Sequence, residues 1–328
     1  MSSQLLTLEQ ASQLLTQPGA YLVAADANVL CQLPKGNWIG GSIPYFIAEE
    51  GGVVSQNRVF VTKLPEATKI VSTQLVSEAD MPNVYRNMPE NGFGVIILPA
   101  TSPSHLSFAL NAPSYEDFAM KPLVGWISGV HLSELGKTTP TVFDGRNGRS
   151  SESDAVLMYL DLDADYVCDM GIVNIFTQGG GDTLEFPETS FSVKDVLVNG
   201  VKQNFAEYLK ANKVDIKNPL VANYAGAMIN VSFQGIDEAN QIVNLYAPVF
   251  QGAEYKLADP IQDYVGQFTS QMPKDSDSIA FSCNCILNFL YSELEGKKTG
   301  NVTGPITFGE VAFQLLNQTM VYLTLEKI

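Results

Sequence analysis

Residues 141–160 read TVFDGRNGRSSESDAVLMYL. Two strand-like runs, Thr141–Phe143 and Ala155–Leu160, flank the turn Asp144-Gly145-Arg146-Asn147-Gly148. Asp-Gly and Asn-Gly suit tight hairpins, because glycine carries no Cβ and asparagine tolerates a left-handed backbone. The chain should reverse here, with antiparallel strands on either side. Leu123–Ile127 and Gly171–Thr177 carry the same β-branched and apolar bias. The expected fold is α+β, with mixed, largely antiparallel sheets and helices packed on them.

Working outward from this hairpin, Thr7 and Gln10 predict a capping box for a helix over 7–17 that ends at Pro18-Gly19. Strands are expected at 21–30, 58–63, 69–76 and 94–98, with a glycine-rich turn at 36–42. Helices are expected near 82–88, 102–111 and 115–120. In the second half, Asn199-Gly200 leads to a helix over 201–210. Strands follow at 220–223, 227–234 and 241–247, then a helix over 260–270. A buried strand at 278–283 should run into a helix over 284–295. A short helix over 309–316 and a strand at 319–325 close the sequence. The expected organisation is two layered α/β domains, 1–200 and 201–328.

The 328 residues are 45% hydrophobic and 16% charged, enough for a sizeable core and unlike a disordered chain. Lys+Arg number 19 against Asp+Glu 35, a net charge of −16. That balance argues against nucleic-acid and membrane partners, whose anionic surfaces need a basic footprint. Cysteines at 31, 168, 283 and 285 form no Cys-x-x-Cys, so neither a disulfide scaffold nor a structural zinc site is expected. The opening MSSQLLTLEQ lacks the pattern of a signal peptide, and a cytoplasmic location is expected.

Few motifs carry chemistry. Asp161, Asp163 and Asp165 resemble the start of a calcium loop, but Tyr166 and Ile172 stand where glycine and a bidentate glutamate are needed. A solvated strand face is expected there, and no metal. Cys283 lies where a strand meets a helix, a place that can lower a thiol's pKa. The simpler reading makes Cys283 a small buried hydrophobe and Asn284 a helix cap. Glu310, after Gly309, reads either as a cap or as a ligand-facing carboxylate.

Taken together, Ile279-Ala280-Phe281-Ser282-Cys283-Asn284, then Thr307-Phe308-Gly309-Glu310, then Asn317-Gln318-Thr319 resemble the carboxyl half of FIST-domain proteins. That family, named for F-box and intracellular signal transduction, shows a strand-Cys-x-Gly-Arg, an aromatic-Gly-Glu and a closing Asn-x-Thr. Trp38-Ile39-Gly40-Gly41-Ser42 is similar to its early Gly-x-Ser turn. Leu123–Gly129, with Trp126, is similar to its central glycine-rich segment. The chain departs from the pattern after Cys283, where Asn284-Cys285 replaces Gly-Arg.

The resemblance implies a FIST-N-like domain over 1–200 and a FIST-C-like domain over 201–328. It implies a stand-alone, non-catalytic, small-molecule-binding sensor of bacterial-type signal transduction, with a separate signalling protein as a second partner. The implied ligand-binding residues are Cys283, Asn284, Gly309, Glu310, Asn317, Gly40, Ser42 and Trp126. No cofactor is expected; haem, on His105, His131, a cysteine or a tyrosine, is the lesser candidate. Two alternatives stand beside the sensor: a cysteine-dependent enzyme using Cys283 with Glu310, and a structural or interaction protein with a vestigial pocket. The sharpest expectation is that Glu310 and Cys283 come together at a pocket bordered by Asn284.

Overall fold

The structure, a computed structural model, describes residues 2–224, 226–273, 278–300 and 302–328. The fold is α+β, built from several mostly antiparallel sheets with few helices. The chain divides into two compact units: Met1–Val173 with Met272–Leu315 and Met320–Ile328, and Asn174–Gln271 with Leu316–Thr319. The units are therefore not the consecutive halves 1–200 and 201–328. Strand pairing is the reason, since residues far along the chain complete the sheets of the first unit.

In the first unit, one sheet runs Ser2–Thr7, Arg58–Lys63, Tyr21–Ala25, Trp38–Ser42, Val142–Asp144 and Arg149–Ser151. The turn at 144–148 reverses the chain as expected, but Val142–Asp144 pairs with the short strand Arg149–Ser151, Val142 opposite Ser151, while Ala155–Leu162 joins the second sheet. A second sheet includes, in order, Glu310–Ala312, Leu123–Ser128, Gly92–Pro99, Ala155–Leu162 and Thr68–Val76. Gly92–Pro99 and Leu123–Ser128 are parallel, joined through the helix Pro103–Asn111, because parallel neighbours need a crossover. Both strands are buried along their whole length, which explains their unbroken apolar sequence. The third sheet runs Tyr166–Val173, Met320–Lys327, Ile279–Cys285, Gly304–Thr307, Tyr45–Ala48 and Gly51–Val54.

The second unit holds a six-stranded sheet from Val201–Asn204 to Ala227–Val231, and a three-stranded one of Ser190–Val193, Ile242–Val249 and Phe233–Asp237. Phe186 meets Phe205 and Tyr255 edge to face in its core, a favoured aromatic geometry.

Several expectations change. The capping box forms, with Thr7 Oγ1 accepting from Gln10 N–H, and the helix spans Leu8–Leu15. The strand from Tyr21 stops at Ala25, where Asp26 caps the short helix Ala27–Leu30. Residues 36–42 are not all turn, because Trp38–Ser42 is a buried strand parallel to Tyr21–Ala25. Its glycines serve close packing: a Cβ on Gly40 would stand 2.6 Å from the Val23 carbonyl oxygen. Asn199-Gly200 forms a two-residue hairpin turn, with φ of 49° and 82°. The strand Val201–Asn204 therefore precedes the helix, which is Phe205–Ala211. Residues 115–120 are turns. Asp161 lies in the strand Ala155–Leu162, whereas 163–165 turn into the next one, so the three aspartates do not share a strand face. There Asp165 pairs with Lys327 at 3.0 Å, and that hydrogen bond pulls its carboxyl below the usual range.

Candidate functional site

The expected residues fall in three places. Cys283, Asn284, Gly309, Glu310 and Trp126 gather inside the first unit. Gly40 and Ser42 lie on the neighbouring Trp38–Ser42 strand. Asn317 belongs to the second unit.

Glu310 does not begin a helix. It opens the strand Glu310–Ala312, directly opposite Trp126 of Leu123–Ser128. The alternation Val311, Phe313, Leu315 is a strand period, and the backbone around Gly309 pairs with Ile127. Phe313, at φ 60°, breaks the run; the Tyr85 hydroxyl donates to its carbonyl. The Glu310 side chain is fully buried, and Thr307 Oγ1 lies 3.4 Å from Oε1. Thr307 Oγ1 is also 3.3 Å from the Asn284 carbonyl oxygen and 3.0 Å from that of Gly309.

Cys283 sits within the strand Ile279–Cys285, not at a helix start, and is 1% exposed. Its Sγ donates to the Gly125 carbonyl at 3.3 Å. Burial pushes the thiol well above its ordinary pKa, and the charges of Glu310 and Cys285 push the same way. The thiol therefore stays protonated at neutral pH, the opposite of what a nucleophile needs. Asn284 is not the cap either. The cap is Cys285, without a side-chain capping bond, and Asn284 Oδ1 accepts from Asn288 Nδ2 at 2.8 Å.

Trp126 stacks on Phe281 at 5.5 Å between ring centroids. Ser42 Oγ donates to the Gly129 carbonyl at 2.8 Å and accepts from Thr141 N–H at 2.9 Å. Asn317 Oδ1 accepts from the Ser232 amide at 3.0 Å and from the Ser232 hydroxyl at 2.7 Å. Asn230 Nδ2 bonds the carbonyls of Asn317 and Gln318, so the Asn-x-Thr stretch is a buried anchor of the second unit.

The two histidines lie elsewhere. His105 is buried in the helix Pro103–Asn111, its Nδ1 accepts from Thr101 N–H, and burial lowers its pKa to about 4. His131 stacks on Tyr45. Among the described residues, no three His, Cys, Asp or Glu side chains are placed to hold a metal ion.

An accessible polar cleft occurs in the second unit. Its volume is about 520 Å³, and its walls include Gly179–Gly181, Asp182, Asn199, Tyr208 and Asp259. Asn199 Nδ2 donates to Asp182 Oδ1 at 2.7 Å, and the Tyr208 hydroxyl donates to Oδ2 at 3.0 Å. Partial burial first, then the Asp182 carboxylate, raises the Tyr208 phenol to about 12. In the sequence, Gln178–Asp182 and Asn199-Gly200 are polar, glycine-containing turn segments, and nothing in their spacing says that they meet.

Over residues 6–326 the sequence matches a family of unknown function, DUF6976. The chain belongs to that family. No curated protein and no solved structure matches it. Membership therefore attaches no activity to the cleft or to the buried set. Among the described residues, no helix is long and apolar enough to cross a membrane.

Proposed function

We propose that this chain is a non-catalytic sensor that binds a small molecule bearing hydroxyl or ammonium groups in the cleft around Asp182. The observation that carries the proposal is the Asp182 carboxylate. Each oxygen is held by one donor, from Asn199 and Tyr208, and a carboxylate offers about four acceptor positions, so some stay available. Asp259 adds a second carboxylate to the same walls. A cleft of this size lies in the range of small-molecule sites, roughly 300–1,000 Å³. The resemblance to FIST-domain proteins supports the sensing role, with a separate signalling protein to receive it.

The test is a thermal-shift screen of polyols, amines and amino acids on the intact chain, with Asp182→Asn in parallel. A bound ligand at a hundredfold excess over Kd adds about 2.7 kcal/mol. The expected result is a shift with one class that Asp182→Asn abolishes. A flat screen, or a shift that survives Asp182→Asn, defeats the proposal.

The full burial of Glu310 favours a second reading, in which the Cys283–Glu310 set is structural and any pocket there is vestigial. Glu310→Gln then lowers stability and leaves every ligand response unchanged. A ligand response that follows Glu310→Gln rather than Asp182→Asn would return the binding site to the buried set.

A further inference from the structure

The helix Phe205–Ala211 of the second unit lends Tyr208 to the Asp182 cleft and other side chains to a second cavity, of about 410 Å³. Leu209, Val214 and Ile236 give this cavity apolar walls, while Glu207, Lys210, Lys213 and Glu238 give it charged ones. Among the described residues, none of these four charged side chains is in a salt bridge. Their formal charges cancel.

Two wall residues hold a left-handed backbone that favours glycine: Lys213 at φ 51° and Gln241 at φ 54°. At the end of the helix, Val214 N–H donates to the Leu209 carbonyl and Lys213 N–H to that of Lys210. This pair of bonds usually closes over a glycine. A lysine near a helix C-terminus also suits the dipole. That role asks for no left-handed backbone, and with glycine at 213 Lys210 would still fill it. Strained backbone concentrates at ligand sites, and here each strained residue places one charge. Lys213 brings its own ammonium. Gln241 Nε2 donates to Glu207 Oε1 at 2.8 Å and so fixes that carboxylate, which keeps further acceptor positions.

Glu207 and Lys213 are six residues apart, roughly 9 Å at the helical rise of 1.5 Å per residue. Leu209 and Val214 line the cavity with them. We propose that this cavity binds a small zwitterion whose charges stand at opposite ends of an apolar chain. Its ammonium meets Glu207, its carboxylate meets Lys213 and its chain covers Leu209 and Val214. An α-amino acid, with its two charges side by side, does not span that distance. The site does not depend on the sensor reading of the Asp182 cleft.

The probe is 6-aminohexanoate, titrated calorimetrically into the intact chain at low ionic strength, where exposed charges are least screened. It should bind at least about tenfold tighter than hexanoate or hexylamine, each of which lacks one charged contact. Lys213→Gly and Glu207→Gln should each remove that advantage, and Asp182→Asn should leave it. Lys213→Gly should melt no lower than the parent, because glycine relieves the left-handed backbone, so a lost response there reads as a lost contact. Absence of binding, equal affinities for the three probes, or an advantage that survives both substitutions overturns the proposal. So does an advantage that Asp182→Asn removes, since the ligand then occupies the other cleft.

Discussion

The two units handle carboxylates in opposite ways. In the first, Glu310 is sealed among strands, with the Cys283 thiol close enough to feel its charge. In the second, Asp182 is exposed and held by Asn199 and Tyr208 at the wall of a cleft. A sealed carboxylate is an element of stability, because its neighbours have no water to turn to if it is removed. An exposed, positioned carboxylate costs little to keep and can meet a ligand. The family-like motifs mark the first kind; the accessible chemistry belongs to the second.

The largest effect should come from Asp144, another sealed carboxylate of the first unit. It accepts from Thr73 Oγ1 at 2.9 Å and from the Asn147 amide nitrogens at 3.2 and 2.6 Å. Asp144→Ala leaves the buried Thr73 hydroxyl without its acceptor and releases the exposed turn residue Asn147, and should cost about 3–4 kcal/mol in urea unfolding. A loss under about 1 kcal/mol would show that sealing carries little weight.

His105 sharpens the same contrast through pH. Its folded pKa of about 4 lies below the ordinary 6.5 of a free histidine because burial penalises its charge. The unfolded chain takes up a proton that the native protein refuses. Stability should therefore fall as pH drops from about 6.5 to 4, by roughly 3 kcal/mol, and this contribution levels off below. His105→Gln should remove that part of the slope. An unchanged pH profile in the variant would place the cause elsewhere.

Thiol labelling compares burial directly. Cys31 is exposed, while Cys283 is buried and its thiol is pushed up. Iodoacetamide on the native protein should modify Cys31 at least about a hundredfold faster, because Cys283 must wait for opening of the unit. Equal rates in native buffer would contradict the sealed site. The smallest effect is expected in the cleft. Asp182→Asn should change stability by less than about 1 kcal/mol, the range of exposed positions, and should lower the raised Tyr208 pKa, read from the phenolate absorbance.

Much of the fold was legible. The Asp144–Gly148 turn, the Thr7 capping box and the apolar run 94–98 are local signals, and each appears where its residues demand it, although the strand that the turn pairs is Arg149–Ser151 and not Ala155–Leu160. The failures are non-local. Residues 309–316 contain an alternation that suits a strand, but only pairing with Leu123–Ser128 makes the backbone extended. Gly40 and Gly41 read as turn formers in the sequence because glycine's two uses, freedom of φ and close approach, look alike there. The cleft was invisible for a similar reason: Asp182, Asn199 and Asp259 are each ordinary loop residues until the sheet brings them together.

The placement of Met320–Lys327 has a further consequence. This strand lies between Tyr166–Val173 and Ile279–Cys285 in the interior of its sheet. During synthesis, Tyr166–Val173 leaves the ribosome some 150 residues before the partner it needs. Until then it is an unpaired strand edge with half-exposed Val167 and Ile172, the kind of surface that chaperones cover. The stretch 174–271 is contiguous and has more local pairings to form in that interval. Order of assembly, and with it the risk of misassembly, is thus written into which strand comes last.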